Sequence, residues 1–199
     1  MSKDNVAKLK TIKVIYKKPT NLTEVPGLEC FKANAKLELI ISCIVNQLHS
    51  KNADFITFLP YTSFLTKADS TSLQQYFPNM FIPILNNQHS FQIRAKILHS
   101  LGKDATVRSE NANFNWKQYV HYYSRDEAIE KFNADTAITY LVKLNDNELY
   151  KEKYSYVKAL LLHKRDRGFL ALYSLFTESG MKQLSKNWQA IEGIFKYED

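Results

Sequence analysis

The chain has 199 residues, 45% hydrophobic and 24% charged, the composition of an ordinary soluble globular protein with room for one domain or two small ones. Its longest apolar run, LIISCIV at 39–45, is far short of the roughly 20 residues that cross a bilayer, and its opening contains no apolar run of seven or more. Neither a membrane span nor a secretory signal is expected, and the chain reads as cytoplasmic. The net charge is +7. Six lysines (Lys3, Lys8, Lys10, Lys13, Lys17, Lys18) stand against Asp4 in residues 1–18, so attraction to polyanions should come from that end.

Ile12, Val14 and Tyr16 alternate with Lys13 and Lys17, the period of a half-buried strand whose lysines protect an edge. Residues 1–18 are therefore read as a basic N-terminal arm and edge strand, and 19–199 as a single α+β domain. From 28 to 51, Leu37, Ile40, Ile41, Ile44, Val45 and Leu48 follow helical spacing. Cys30 and Cys43 would both sit on that helix, about 20 Å apart, too far for a disulfide. DFITFLPY, 54–61, reads as a short strand stopped at Pro60, which has no N–H for a ladder. A short helix at 66–77, an edge strand at 80–85, a helix at 90–102 ended by Gly102 and a polar loop over 103–115 follow.

QYVHYYSRDEAIEKFNADT, 118–136, concentrates the polar chemistry of the chain. Ser124 and Glu127 have the spacing of a capping box, with Asp126 in the first turn where the helix dipole favours negative charge. Ala128, Ile129 and Phe132 would then face the core, and Asn133 would take the left-handed position that ends the helix. The catalytic alternative makes His121 a base oriented by Asp126, with Tyr122 beside them. TAITYLVKL at 136–144 alternates as a strand. YSYVKALLLHK and GFLALYSLF flank RDR as the arms of a hairpin, the second arm apolar on both faces and so central in its sheet. Thr177 caps a closing helix whose inner face carries Met181, Leu184, Trp188, Ile191 and Phe195. The fold class expected is α+β, a mainly antiparallel sheet with a C-terminal β-hairpin and helices packed on it.

Recognisable reaction chemistry is not found. The five histidines make no H-x-x-H or H-E-x-x-H pair, the cysteines no C-x-x-C, and the five glycines stand singly, so no metal or cofactor is expected. G-x-S-x-G is missing. RGFLALYSLF begins like an RNA-recognition strand, and Phe169 and Tyr173 share a face where bases could stack. The pattern then departs, with Leu170, Ala171 and Ser174 where that motif carries a small residue and aromatics.

The runs FNADTAITYLVKL and KYSYVKALLLHKRDRGFLALYSLFT, with a helix ending near GIFKYED, resemble uncharacterised domains of Bacteroidetes-type bacteria over roughly the last 75 residues. The resemblance implies a fold and a bacterial source, and it transfers no site residue. The expected function is a cytoplasmic, non-enzymatic interaction or accessory domain with a protein partner. A nucleic-acid binder using Lys10, Lys13, Lys17 and Lys18, with Phe169 and Tyr173 as stacking surfaces, is the alternative. An enzyme centred on His121 is the third. Oligomeric state is not legible in these residues.

Overall fold

The nine residues Gly168–Phe176 form β8, and every one from Phe169 to Phe176 except Tyr173 is buried. Such a segment needs a strand on each side and a packed layer on each face. The computed structural model describes residues 9–10, 12–25, 47–63, 97–98, 100–103, 114–145, 153–165 and 167–199, with side chains at 59–63 excepted. In it, β8 is the middle strand of a seven-stranded sheet. The others are β2 (Leu22–Val25), β3 (Gln47–Ser50), β4 (Phe55–Ser63), β5 (Val120–Tyr122), β6 (Thr136–Lys143) and β7 (Tyr156–Lys164), in the order β2-β3-β4-β8-β7-β6-β5. Each neighbouring pair is antiparallel. β1 (Val14–Tyr16) and β9 (Phe195–Tyr197) make a separate antiparallel ladder. The α+β class, the antiparallel sheet, the β7–β8 hairpin and the central place of β8 follow the sequence pattern.

Side-chain alternation sends the sheet's apolar residues into two layers. On the first face, Leu160, Leu162, Leu170, Leu172 and Phe176 pack with Phe132 of helix α1 (Arg125–Phe132), with Trp188 and Ile191 of α3 (Leu184–Glu192), and with Val14, Phe195 and Tyr197 of the β1–β9 ladder. On the second, Ile56, Phe58, Ile138, Tyr140, Val157, Leu161, Phe169 and Leu175 form a cluster that Trp116 and Tyr119 of a 3-10 turn (Trp116–Tyr119) also join. Ser174 is fully buried in the first face and tolerable there because Thr57, its partner in register, places Oγ1 2.9 Å from the serine Oγ.

Four expectations need correction. Gln47–Ser50 is strand β3, so Leu48 is a core strand residue paired with Glu24 and Thr57, not the end of a helix. β4 does not stop at Pro60 but runs to Ser63, because the register slips between Phe58 and Tyr61. Two residues separate them while one separates Tyr173 from Ala171, and such a bulge spares Pro60 a ladder hydrogen bond. Ile129 points outward, 46% exposed, while Ala128 and Phe132 are buried as their spacing requires. The closing helix is two pieces, α2 (Glu178–Lys182), capped by Thr177, and α3, broken at Gln183 and finished at Glu192. Phe195 keeps its place in the core, but on β9, where it and Tyr197 are buried and Lys196 between them is exposed.

Gly102 adopts φ +72 and ends a helical turn holding Ile97, Leu98 and Ser100. The amide of Lys103 returns to the Leu98 carbonyl at 2.8 Å, closing the turn. Cys30, Cys43, the helix proposed for 66–77, the strand proposed for 80–85 and most of the loop from 103 lie outside the described residues.

Candidate functional site

The polar stretch from 118 begins on an edge strand and ends in a helix. Ser124, in extended conformation, accepts the Glu127 amide at 3.3 Å, while the Glu127 carboxylate accepts the Ser124 amide and hydroxyl, each at 2.8 Å. These bonds hold the Glu127 carboxyl below its ordinary range, with the charges of Lys131 and His121 adding to the effect. Asp126 is exposed in the first turn, and Asn133 closes the helix at φ 49, ψ 42. The capping box and the left-handed stop stand as the residues specify.

Two of the three catalytic candidates point away from each other. His121 and Tyr122 are consecutive on β5, so one lies opposite Thr139 on the first face and the other opposite Ile138 on the second. Both are exposed, Tyr122 by 50%. The imidazole stands edge-on to Tyr123 with ring centres 5.1 Å apart. The imidazole of His121 and the phenol of Tyr122 therefore do not share the face on which a reactive site would gather them with a carboxylate.

A different group does converge. The Tyr123 hydroxyl donates to the Glu192 carboxylate on α3, whose other oxygen lies 3.4 Å from Lys131 Nζ. The same ammonium sits 5.1 Å from the centre of the Tyr123 ring, which in turn meets Phe132 edge-on at 5.5 Å. Burial first, then the bond to Glu192, pushes the Tyr123 phenol far above its ordinary range, against a smaller opposing influence from the Trp188 indole. That indole N–H is buried and reaches hydrogen-bond geometry with no described residue, so its effect on Tyr123 is one of proximity. Lys158 projects from β7 onto the Trp188 ring at 4.3 Å. Burial lowers the pKa of its ammonium, and the Glu192 charge partly opposes the shift.

This arrangement fastens α3 to α1 and the sheet. A phenol held protonated over so wide a range is a poor acid or base near neutral pH, and its one proton already has an acceptor. Glu192, Lys158 and Trp188 were not singled out as a group by sequence, although Lys158 carried a signal. It interrupts the alternating series Tyr156, Leu160, Leu162 at a position that faces the core.

The nucleic-acid candidates are also separated. Lys10, Lys13, Lys17 and Lys18 are all exposed, beside Leu9, Ile12 and Val14, which are buried in the first-face cluster. Phe169 and Tyr173 belong to the second-face cluster, and Phe169 is only 8% exposed. Lysines and aromatics thus lie on opposite sides of the sheet, and the Phe169 ring is covered where base stacking would need it bare.

Among the described residues, no three His, Cys, Asp or Glu side chains gather to hold a metal ion, and no helix is long and apolar enough to cross a membrane. Comparisons with protein-family models, with curated proteins and with solved structures returned no match.

Proposed function

We propose that the protein is a cytoplasmic, non-catalytic interaction domain that acts by presenting a fixed surface to a protein partner. The observation that carries this is how the polar residues of the 121–127 stretch and its surroundings are used. Ser124 and Glu127 close on each other, and Tyr123 and Lys131 close on Glu192. These groups are spent on a helix cap and interhelical ties, which supports a structural use for the polar residues among those described.

The experiment is a panel of hydrolase and transferase substrates offered to the wild-type protein and to His121→Ala. The expected result is no turnover by either. Turnover by the wild type that disappears in His121→Ala contradicts the proposal.

A further inference from the structure

We propose that the outward face of the β1–β9 ladder docks an acidic protein segment that carries one aliphatic side chain between carboxylates. The inference rests on the interaction-domain reading and names the partner's chemistry.

In this ladder Val14 and Tyr16 are opposite Tyr197 and Phe195, and Val14, Phe195 and Tyr197 are buried in the first-face core. Alternation therefore turns Ile15 and Lys196, which are paired with each other, to the outside. Ile15 is 50% exposed, one of three large apolar side chains so exposed among the described residues. Lys13 and Lys17 flank it along the chain, and both are exposed. A lone surface isoleucine is ordinary. One set among Lys13, Lys17 and Lys196 on a ladder anchored from beneath has the layout of a small interface, an apolar centre with a charged rim.

The charges around it decide the partner's sign. Lys10 and Lys18, also exposed, stand near Lys13 and Lys17 in the chain. The acids nearby are Glu198, its amide bonded to the Lys13 carbonyl at 2.8 Å, Asp199, held by Asn133 at 2.9 Å, Glu130 beside Lys196, and Glu24, whose charge reaches Tyr16, so the lysines about the ladder outnumber them by a small margin. Lys196 Nζ rests 3.2 Å from the Glu130 carbonyl, which orients the ammonium and uses one of its three donors. A carboxylate can take another. Ile15 decides the partner's class. A phosphate backbone needs only the lysines, and an aliphatic side chain offers bases no ring to stack on, whereas a leucine or valine from a peptide would cover it.

The test is fluorescence anisotropy at fixed salt with three labelled probes: the peptide Glu-Glu-Leu-Glu-Glu, the same peptide with serine in place of leucine, and a single-stranded oligonucleotide of matched charge. The leucine peptide should bind, and the serine peptide more weakly. Ile15→Ser should weaken the leucine peptide about tenfold, the scale of one buried aliphatic contact. Lys17→Glu should weaken it at least as much. Both variants should unfold at the wild-type temperature, because neither side chain is in the core. Leucine-peptide affinity unchanged by Ile15→Ser overturns the proposal, as does oligonucleotide binding tighter than peptide binding and indifferent to Ile15. A protein partner retained equally by wild type, Ile15→Ser and Lys17→Glu overturns this surface while leaving the interaction domain standing. Turnover that depends on His121 overturns both.

Discussion

The hydroxyl of Tyr123 donates to the carboxylate of Glu192, a residue 69 positions later in the chain. One bond thus joins the end of β5 to the last turn of α3, and the ammonium of Lys131 reaches the same carboxylate from α1. Removing the hydroxyl with Tyr123→Phe should cost about 1–3 kcal/mol in urea unfolding, the range for a hydrogen bond to a charged acceptor that is partly shielded from water. Lys131→Ala should cost less than about 1 kcal/mol, since its ammonium is 43% exposed and screened.

The capping box gives a second prediction. Ser124→Ala removes the acceptor of the Glu127 amide and should cost about 1 kcal/mol. Glu127→Gln keeps the reciprocal geometry without the charge. The folded carboxyl titrates below its ordinary value of 4.5, so its contribution is present above that pH and is lost as pH falls through the folded value. Acid unfolding curves of wild type and Glu127→Gln should therefore converge at low pH.

Gly180 is required for packing. Its amide bonds the Thr177 hydroxyl at 2.9 Å, and Thr177 in turn donates its amide to the Asp54 carbonyl at 2.9 Å. A β-carbon on Gly180 would lie 2.3 Å from that same carbonyl oxygen. Gly180→Ala should destabilise by about 1–3 kcal/mol, as overpacking against backbone does, despite alanine's better helix propensity. Thermal unfolding would reveal the loss.

His163 should set a slope near neutral pH. Burial lowers its pKa from 6.5, with Asp135 opposing and Arg165 reinforcing the shift. Between the folded value and 6.5 the unfolded chain binds the proton more readily, so stability falls as pH is lowered through that window and levels off beneath it. His163→Gln should flatten urea midpoints measured across the window. A slope that persists in His163→Gln assigns it to another group.

Two tyrosines, Tyr197 in the core and Tyr16 half-buried with its hydroxyl covered, should respond differently to loss of that hydroxyl. Tyr197 donates to the Gly168 carbonyl at 3.0 Å, and Tyr197→Phe should cost about 1 kcal/mol or more. The Tyr16 hydroxyl is buried without a partner among the described residues, and its pKa is pushed up to about 12, mainly by burial. Tyr16→Phe should be neutral or stabilising, because it removes a polar atom that gains nothing from folding. Comparison of the two urea midpoints checks the contrast.

What the chain declares locally proved readable. β6, β7 and β8 announce themselves by β-branched and aliphatic alternation, the α1 caps by Ser124, Glu127 and Asn133, and the turn at Gly102 by the glycine itself. Helical spacing misled where tertiary pairing decides. Leu48 fits a helical row and Phe195 another, yet both enter strands because Thr57 and Tyr16 lie across from them. Ile129 also fitted an apolar face, but an eight-residue helix resting on Ala128 and Phe132 turns its other side to solvent. The Tyr123, Lys131 and Glu192 group was not legible, since contact between residues far apart in the chain leaves no spacing to read. The outward isoleucine of β1 emerged only once Val14 and Tyr16 were seen to face inward.

The central claim is that the polar residues around position 124 serve the fold. A double-mutant cycle in urea with Tyr123→Phe, Glu192→Gln and the double variant measures it most directly. The account predicts a coupling of about 1 kcal/mol or more between the two sites, with both single variants less stable than wild type. Single variants as stable as wild type with no coupling would contradict it, and would leave Tyr123 and Glu192 available for chemistry.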